Sequence, residues 1–175
     1  MNLTKPAIIT RITAFMLLIF AMSGCLQYSF TGISIPSNVR TVYISYFVDE
    51  SGSGMGDLGD ILNETLIDRF VNQSRLRLSG NPEDADIIFE GRITGYSNQP
   101  YTVGGDDRAE LNQVQISVNS SFRYTEEEEP EWDKSFSGSF QYDPNVDPID
   151  GENNAAQEAL NRVADNMFND ALGDW

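Results

Sequence analysis

Between Val39 and Leu172 the chain switches between two hydrophobic periods, and the switches divide it into elements. Val42, Ile44, Tyr46 and Val48 recur at every second residue, with Tyr43 and Phe47 on the other parity. That pattern, rich in β-branched and aromatic residues, predicts a strand over Val39–Val48 buried on at least one side. A Gly- and Ser-rich loop, Asp49–Gly56, follows. Over Asp57–Gln73 the period lengthens: Leu58, Ile61, Leu62, Leu66, Phe70 and Val71 share one side of a helix. Asp57 and Asp60 suit its positive end, and Arg69 and Arg75 its negative end. Leu76 and Leu78 alternate with Arg75 and Arg77 as a short strand, broken by Gly80, Asn81 and Pro82. A second long strand spans Asp86–Ser97, where Gly91 and Gly95 point to a bulge, a bend or a close backbone approach. Gln99–Glu110 reads as a polar loop.

The cleanest alternation lies in Asn112–Thr125. Val114, Ile116, Val118, Phe122 and Tyr124 point one way; Gln113, Gln115, Ser117, Asn119, Ser121 and Arg123 point the other. Glu126–Glu131 forms an acidic hairpin tip, and Asp133–Tyr142 returns as a strand carrying Phe136, Phe140 and Tyr142. Pro144, Pro148 and Gly151 end the sheet. Ala156, Ala159, Leu160, Val163, Met167, Phe168 and Ala171 then form the apolar stripe of a helix over Glu152–Leu172. Strand, helix, three or four strands and helix, with one stripe per helix, predict an α+β fold. Two helices pack on one face of a mixed sheet of about four strands, in a single domain over residues 39–175. The polar parity of Asn112–Thr125 then faces either water or a hydrated interior supplied by a partner.

The first 24 residues have a different character. Lys5 and Arg11 precede the apolar run Ile12–Met22, and Ser23, Gly24 and Cys25 close it. A basic start, a short apolar middle and small residues at the end make an export signal. The run falls short of the ~20 apolar residues that cross a bilayer. The last residues fit a bacterial lipobox, with Met22 where leucine is commoner. Cys25, the only cysteine in the chain, is therefore expected to carry the acyl chains, palmitate among them. Residues 25–38 form the lipid-anchored tether.

Charge and composition narrow the chemistry. With 27 acidic against 11 basic residues the net charge is −16. Loss of the basic signal makes the mature balance −18, which disfavours nucleic acid and anionic lipid surfaces. Histidine is absent, so the commonest general base and metal ligand are missing. The single thiol is expected to be acylated. The 27 acids supply the residue types of a carboxylate-pair glycosidase, but most of them fall in loops or on solvated helix faces. Asp143–Glu152 resembles a calcium loop in composition, but Pro148 stands where the loop needs glycine. The reading is a protein that is not an enzyme and takes no metal or cofactor.

One family resembles this chain. Cys25, Tyr28, Ser29, Phe30, Gly32, Ser34, Ile35 and Pro36, followed by Val39, Thr41, Val42, Ile44, Tyr46 and Phe47, are similar to the start of the lipopolysaccharide-assembly lipoprotein LptE of Bacteroidetes. Leu62–Phe70 with Leu66 and Asp68, then Phe89, Gly91, Ile93, Thr94 and Tyr96, and Leu111–Asn112 follow in the same order. The resemblance implies an outer-membrane lipoprotein on the periplasmic side that plugs the β-barrel LptD and helps deliver lipopolysaccharide. It implies two helices on a mixed sheet of about four strands. Leu26 and Gln27 after the lipid carry no acid, which is similar to periplasm-facing members of this group. Members touch lipopolysaccharide phosphates through basic loop residues; Arg108 is the candidate here. The alternative is a periplasmic lipoprotein that is a binding or scaffold module for another envelope assembly. Cys25→Ser should abolish acyl labelling and leave the signal uncleaved, read by mass spectrometry of the amino terminus; unchanged processing refutes the anchor.

Overall fold

The structure, a computed structural model, describes residues 35–101 and 111–173. The strands are β1 (Thr41–Ile44), β2 (Val48–Asp49), β3 (Arg77–Leu78), β4 (Ile87–Tyr101), β5 (Leu111–Tyr124) and β6 (Trp132–Tyr142). The helices are α1 (Leu58–Ile67), prolonged by a π turn over Asp68–Asn72, and α2 (Pro148–Leu172). The sheet runs β3-β1-β4-β5-β6, with β2 beside β4. β1 and β2 lie parallel to β4, and β1 also to β3, while β4, β5 and β6 form an antiparallel meander. The α+β class, the mixed sheet and the two helices are as the periodicity predicts. The strands number six rather than about four, because the first predicted strand divides and Arg77–Leu78 pairs at the edge.

The division has a consequence for burial. Ile44 pairs with Phe89 and Val48 with Arg92, so the β1–β2 side spends one residue more than β4 across the gap. Parity flips there. Phe47 turns into the core, while Tyr46 and Val48 are more than half exposed. The expected grouping of Val42, Ile44, Tyr46 and Val48 on one face therefore fails at Tyr46 and Val48. Gly91 makes room for the change: a Cβ there would collide with the Phe47 ring and the Asn119 carbonyl. A second irregularity between Ile93 and Gly95 resets β4 against β5. β4 then continues to Tyr101, past the predicted end at Ser97. Pro100, which lacks an N–H, sits where β4 has only β5 as a neighbour.

Both helices cover the same face. Leu58, Leu62 and Leu66 of α1 and Ala156, Ala159, Leu160, Val163 and Met167 of α2 are fully buried in one core with Val114, Ile116, Val118 and Phe122 of β5. Within it α1 packs on α2, β1 and β2, and α2 on β5 and β6. Each large aliphatic side chain so buried contributes about 1.5–3 kcal/mol. The π turn, whose extra residue is marked by Gln73 N donating to Asp68 O, carries Phe70 into the core. There Phe70 lies 4.3 Å from Phe89 and 5.1 Å from Phe168 between ring centres. Arg69 Nε donates to Asp165 Oδ1 at 2.6 Å and ties α1 to α2, a pair worth at most about 1 kcal/mol at this exposure.

α2 begins at Pro148, earlier than the predicted Glu152. Asp147 caps it by accepting from Asp150 N at 3.1 Å, and proline suits the first turn. Along the β6 edge, Arg162 lies over Phe140, Asn166 Nδ2 donates to Ser137 O, and Asp170 pairs with Lys134. These contacts guard an edge strand that would otherwise invite pairing. At the start of β4, Asp86 Oδ2 accepts from Arg40 N at 2.7 Å and from Thr41 N and Oγ1, each at 2.9 Å.

Two substitutions check this account. A Cβ on Gly138 would collide with the Ala159 carbonyl of α2, a backbone atom that cannot swing aside. Gly138→Ala should cost about 1–3 kcal/mol, read as a lower urea midpoint. The backbone N–H of Arg40, foremost, and the Thr41 groups hold the Asp86 carboxyl below its ordinary range. A lowered folded value means stability that is full above the unfolded value of about 4 and lost as pH falls through the folded one. Asp86→Ala should therefore cost about 1–2 kcal/mol at neutral pH, and the gap to the native chain should close below about pH 4.

Candidate functional surface

Because both helices lie on one face, the other face of β4–β5–β6 is left open, and the ladder sorts its side chains into rows across three strands. Nearest the β5–β6 turn, Glu90, Ser121 and Asp133 stand in one row, and Arg92, Asn119 and Ser135 in the next. Then come Gly95, Ser117 and Ser137, followed by Ser97, Gln115 and Ser139. The last row to cross all three strands is Gln99, Gln113 and Gln141, beyond which Tyr101 pairs with Leu111. The first two rows carry charge. The last three are uncharged, short or amide-bearing, and free of aliphatic side chains. Val48 and the Arg92–Glu50 ion pair at 3.2 Å border the charged end, around a shallow depression of about 350 Å³ above Gly91.

The two ends of the sheet differ further. The chain enters the domain at Ile35, where the Arg75 guanidinium donates to the Ile35 and Pro36 carbonyls. Pro36 and Val39 line an open groove of about 470 Å³ together with Glu83, Asp86, Glu126 and Glu127. This pole is acidic. A hydrogen bond between Glu127 and Glu131 raises the Glu127 carboxyl above its ordinary value, as expected of two carboxylates sharing a tip. At the opposite pole the start of α2 is pinned to the sheet. Tyr96 OH donates to Glu152 Oε1, and Asn98 Nδ2 donates to Tyr142 OH at 2.7 Å. Burial, then the Glu152 contact, pushes the Tyr96 hydroxyl up, so it keeps its proton and the bond throughout the physiological range.

Of the residues singled out in the sequence, Cys25 and Arg108 lie outside the described residues. The polar parity of β5 faces the open side as predicted, with one exception of kind: Ser120 shares the inward parity, is 2% exposed, and donates from Oγ to the Glu90 carbonyl at 3.1 Å. Gln99, read as loop, proves to be part of the amide row. No single-strand pattern reveals such rows, which need the register of neighbours; Pro100, an edge-strand proline, is the one local sign that strand continues there. Among the described residues, no group of three or more His, Cys, Asp or Glu side chains is placed to hold a metal, and no helix is long and apolar enough to cross a membrane.

The fold is similar to that of a Xanthomonas campestris protein of known structure. The two share 9% identity over 78% of this chain and 87% of that one, with a TM-score of 0.53. A hypothetical protein of Chlamydia trachomatis shares 11% identity over 75% of this chain and 92% of its own, with a TM-score of 0.49. A minor lipoprotein of Acinetobacter baumannii shares 12% over 74% and 90%, with a TM-score of 0.46. A search of curated protein sequences returns no match. The family model described as LptE, lipopolysaccharide-assembly, matches residues 39–171, from just before β1 almost to the end of α2. With the match spanning both helices and every strand, the chain belongs to the LptE family of lipopolysaccharide-assembly proteins.

Proposed function

We propose that this protein is an outer-membrane lipoprotein, anchored through acyl chains on Cys25, whose domain faces the periplasm and plugs and supports the β-barrel LptD. In that role it assists the delivery of lipopolysaccharide to the cell surface without catalysing a reaction. The match of the LptE family model over residues 39–171 is the observation that carries the reading. The lipobox at Cys25 supports the anchor, since two or more acyl chains hold a protein firmly where one holds it marginally. The tether of about ten residues between Cys25 and Ile35 reaches at most ~35 Å when extended, which keeps the domain beside the membrane that bears the barrel. The polar rows from Glu90–Ser121–Asp133 to Gln99–Gln113–Gln141 on the open sheet face support a partner whose own surface is wet, as a barrel lumen is.

The negative balance of the mature chain disfavours broad contact with an anionic lipid, so the plug role rests on shape and hydrogen bonding. Arg108, in the segment joining β4 to β5, is the residue assigned to any direct contact with a lipopolysaccharide phosphate. Depletion of the protein should trap newly made lipopolysaccharide inside the cell, and the tagged mature chain should co-purify with a large outer-membrane barrel. Normal export on depletion would instead favour a scaffold module for another envelope assembly.

A further inference from the structure

Charge is unevenly spread over this domain, and the unevenness selects one surface. The exposed side of α2 carries Glu158, Asp165 and Asp170, and the pole where the tether enters carries Glu83, Asp84 and Glu126–Glu129. The opposite pole carries Asp143, Asp147 and Asp150, so both ends are acidic and only the sheet face between them is not. The open sheet face begins with charge at Glu90, Arg92 and Asp133 and then loses it for three successive rows. A purely solvated face in so acidic a chain has no reason to exclude carboxylates, which would aid solubility. Depletion of charge marks the central part of protein interfaces, because an unpaired charge is costly to bury there. Depletion of aliphatic side chains as well excludes a dry, core-like interface.

We propose that this neutral half of the sheet, from Ser117 and Ser137 through Gln115 to Gln99, Gln113 and Gln141, seats against the inner wall of the outer-membrane barrel. The proposal rests on the plug reading and assigns its contact surface. Serine side chains in the middle rows let another sheet approach closely. The three amides of the last row both donate and accept, so they satisfy whichever polar groups a barrel wall turns inward, directly or through water. The inner face of such a barrel is itself a polar sheet, which makes the contact sheet on sheet. The gradient along the strands sets a direction: the glutamine row lies deepest, and the charged rows remain at the mouth with the acidic pole and the tether entry at Ile35.

The test uses the full lipidated chain in whole cells with a photo-crosslinking residue in place of Gln115, Ser137 or, on α2, Glu158. The native chain is first shown to retrieve a barrel; if it retrieves none, the plug reading falls and this assignment with it. Where it does, Gln115 and Ser137 should capture the barrel and Glu158 should not. Ser117→Glu with Ser137→Glu should lower barrel recovery at least tenfold at unchanged melting temperature, while Ser117→Thr with Ser137→Thr should retain it. Capture from Glu158 alone, capture of a second copy of the chain from Gln115, or full recovery with the folded glutamate pair would each overturn the assignment and leave the plug reading standing.

Discussion

A chain of aromatic contacts holds the two layers of this domain together. Phe168 of α2 meets Phe70 of the π turn, Phe70 meets Phe89 of β4, and Phe89 stacks on Phe122 of β5 at 4.9 Å. Trp132 and Phe136 of β6 extend the series to the sheet edge. Aromatic pairs at these spacings add to their burial roughly 0.5–1.5 kcal/mol each. More important is their placement, because the rings all lie on the helix-covered side of the sheet. That side is thereby committed to the core, and the other side to whatever the environment supplies.

Close approach makes the commitment possible. Gly138 brings the α2 backbone down onto β6, and Gly91 admits the Phe47 ring beneath β4. With larger residues at either point, α2 or the β1–β2 connection would have to lift. The same geometry lays Arg162, Asn166 and Asp170 along the β6 edge, so the strand that ends the sheet is guarded. The face left open among the described residues is that of the meander β4–β5–β6, whose strands are the longest in the sheet.

Polarity along the strands adds a second axis. Acids gather at both poles, around the β5–β6 turn and at Asp143, Asp147, Asp150 and Glu152 beside the start of α2, whereas on the open face charge stops after the Arg92–Asn119–Ser135 row. Family membership ties the domain to lipopolysaccharide assembly, and the order of the rows distinguishes the end of the open face nearer Ile35 from the end at Gln99, Gln113 and Gln141.

How much of this was legible before the fold was known depends on the range of the interactions concerned. The helix-period stripe of Ala156–Ala171 and the alternation of Asn112–Thr125 are local patterns, and a side chain's burial within one element follows from period alone. The signal ending at Cys25, the missing histidine and the acidic balance are likewise properties of the chain itself. Tertiary structure decided what depends on neighbours. Phe47 rather than Tyr46 entered the core because β1–β2 spends an extra residue against β4, and Gln99 left the loop to join an amide row because β4 runs on beside β5. A one-residue offset reverses every side chain beyond it. Such offsets arise from pairing between distant segments, which the periodicity of one segment cannot contain.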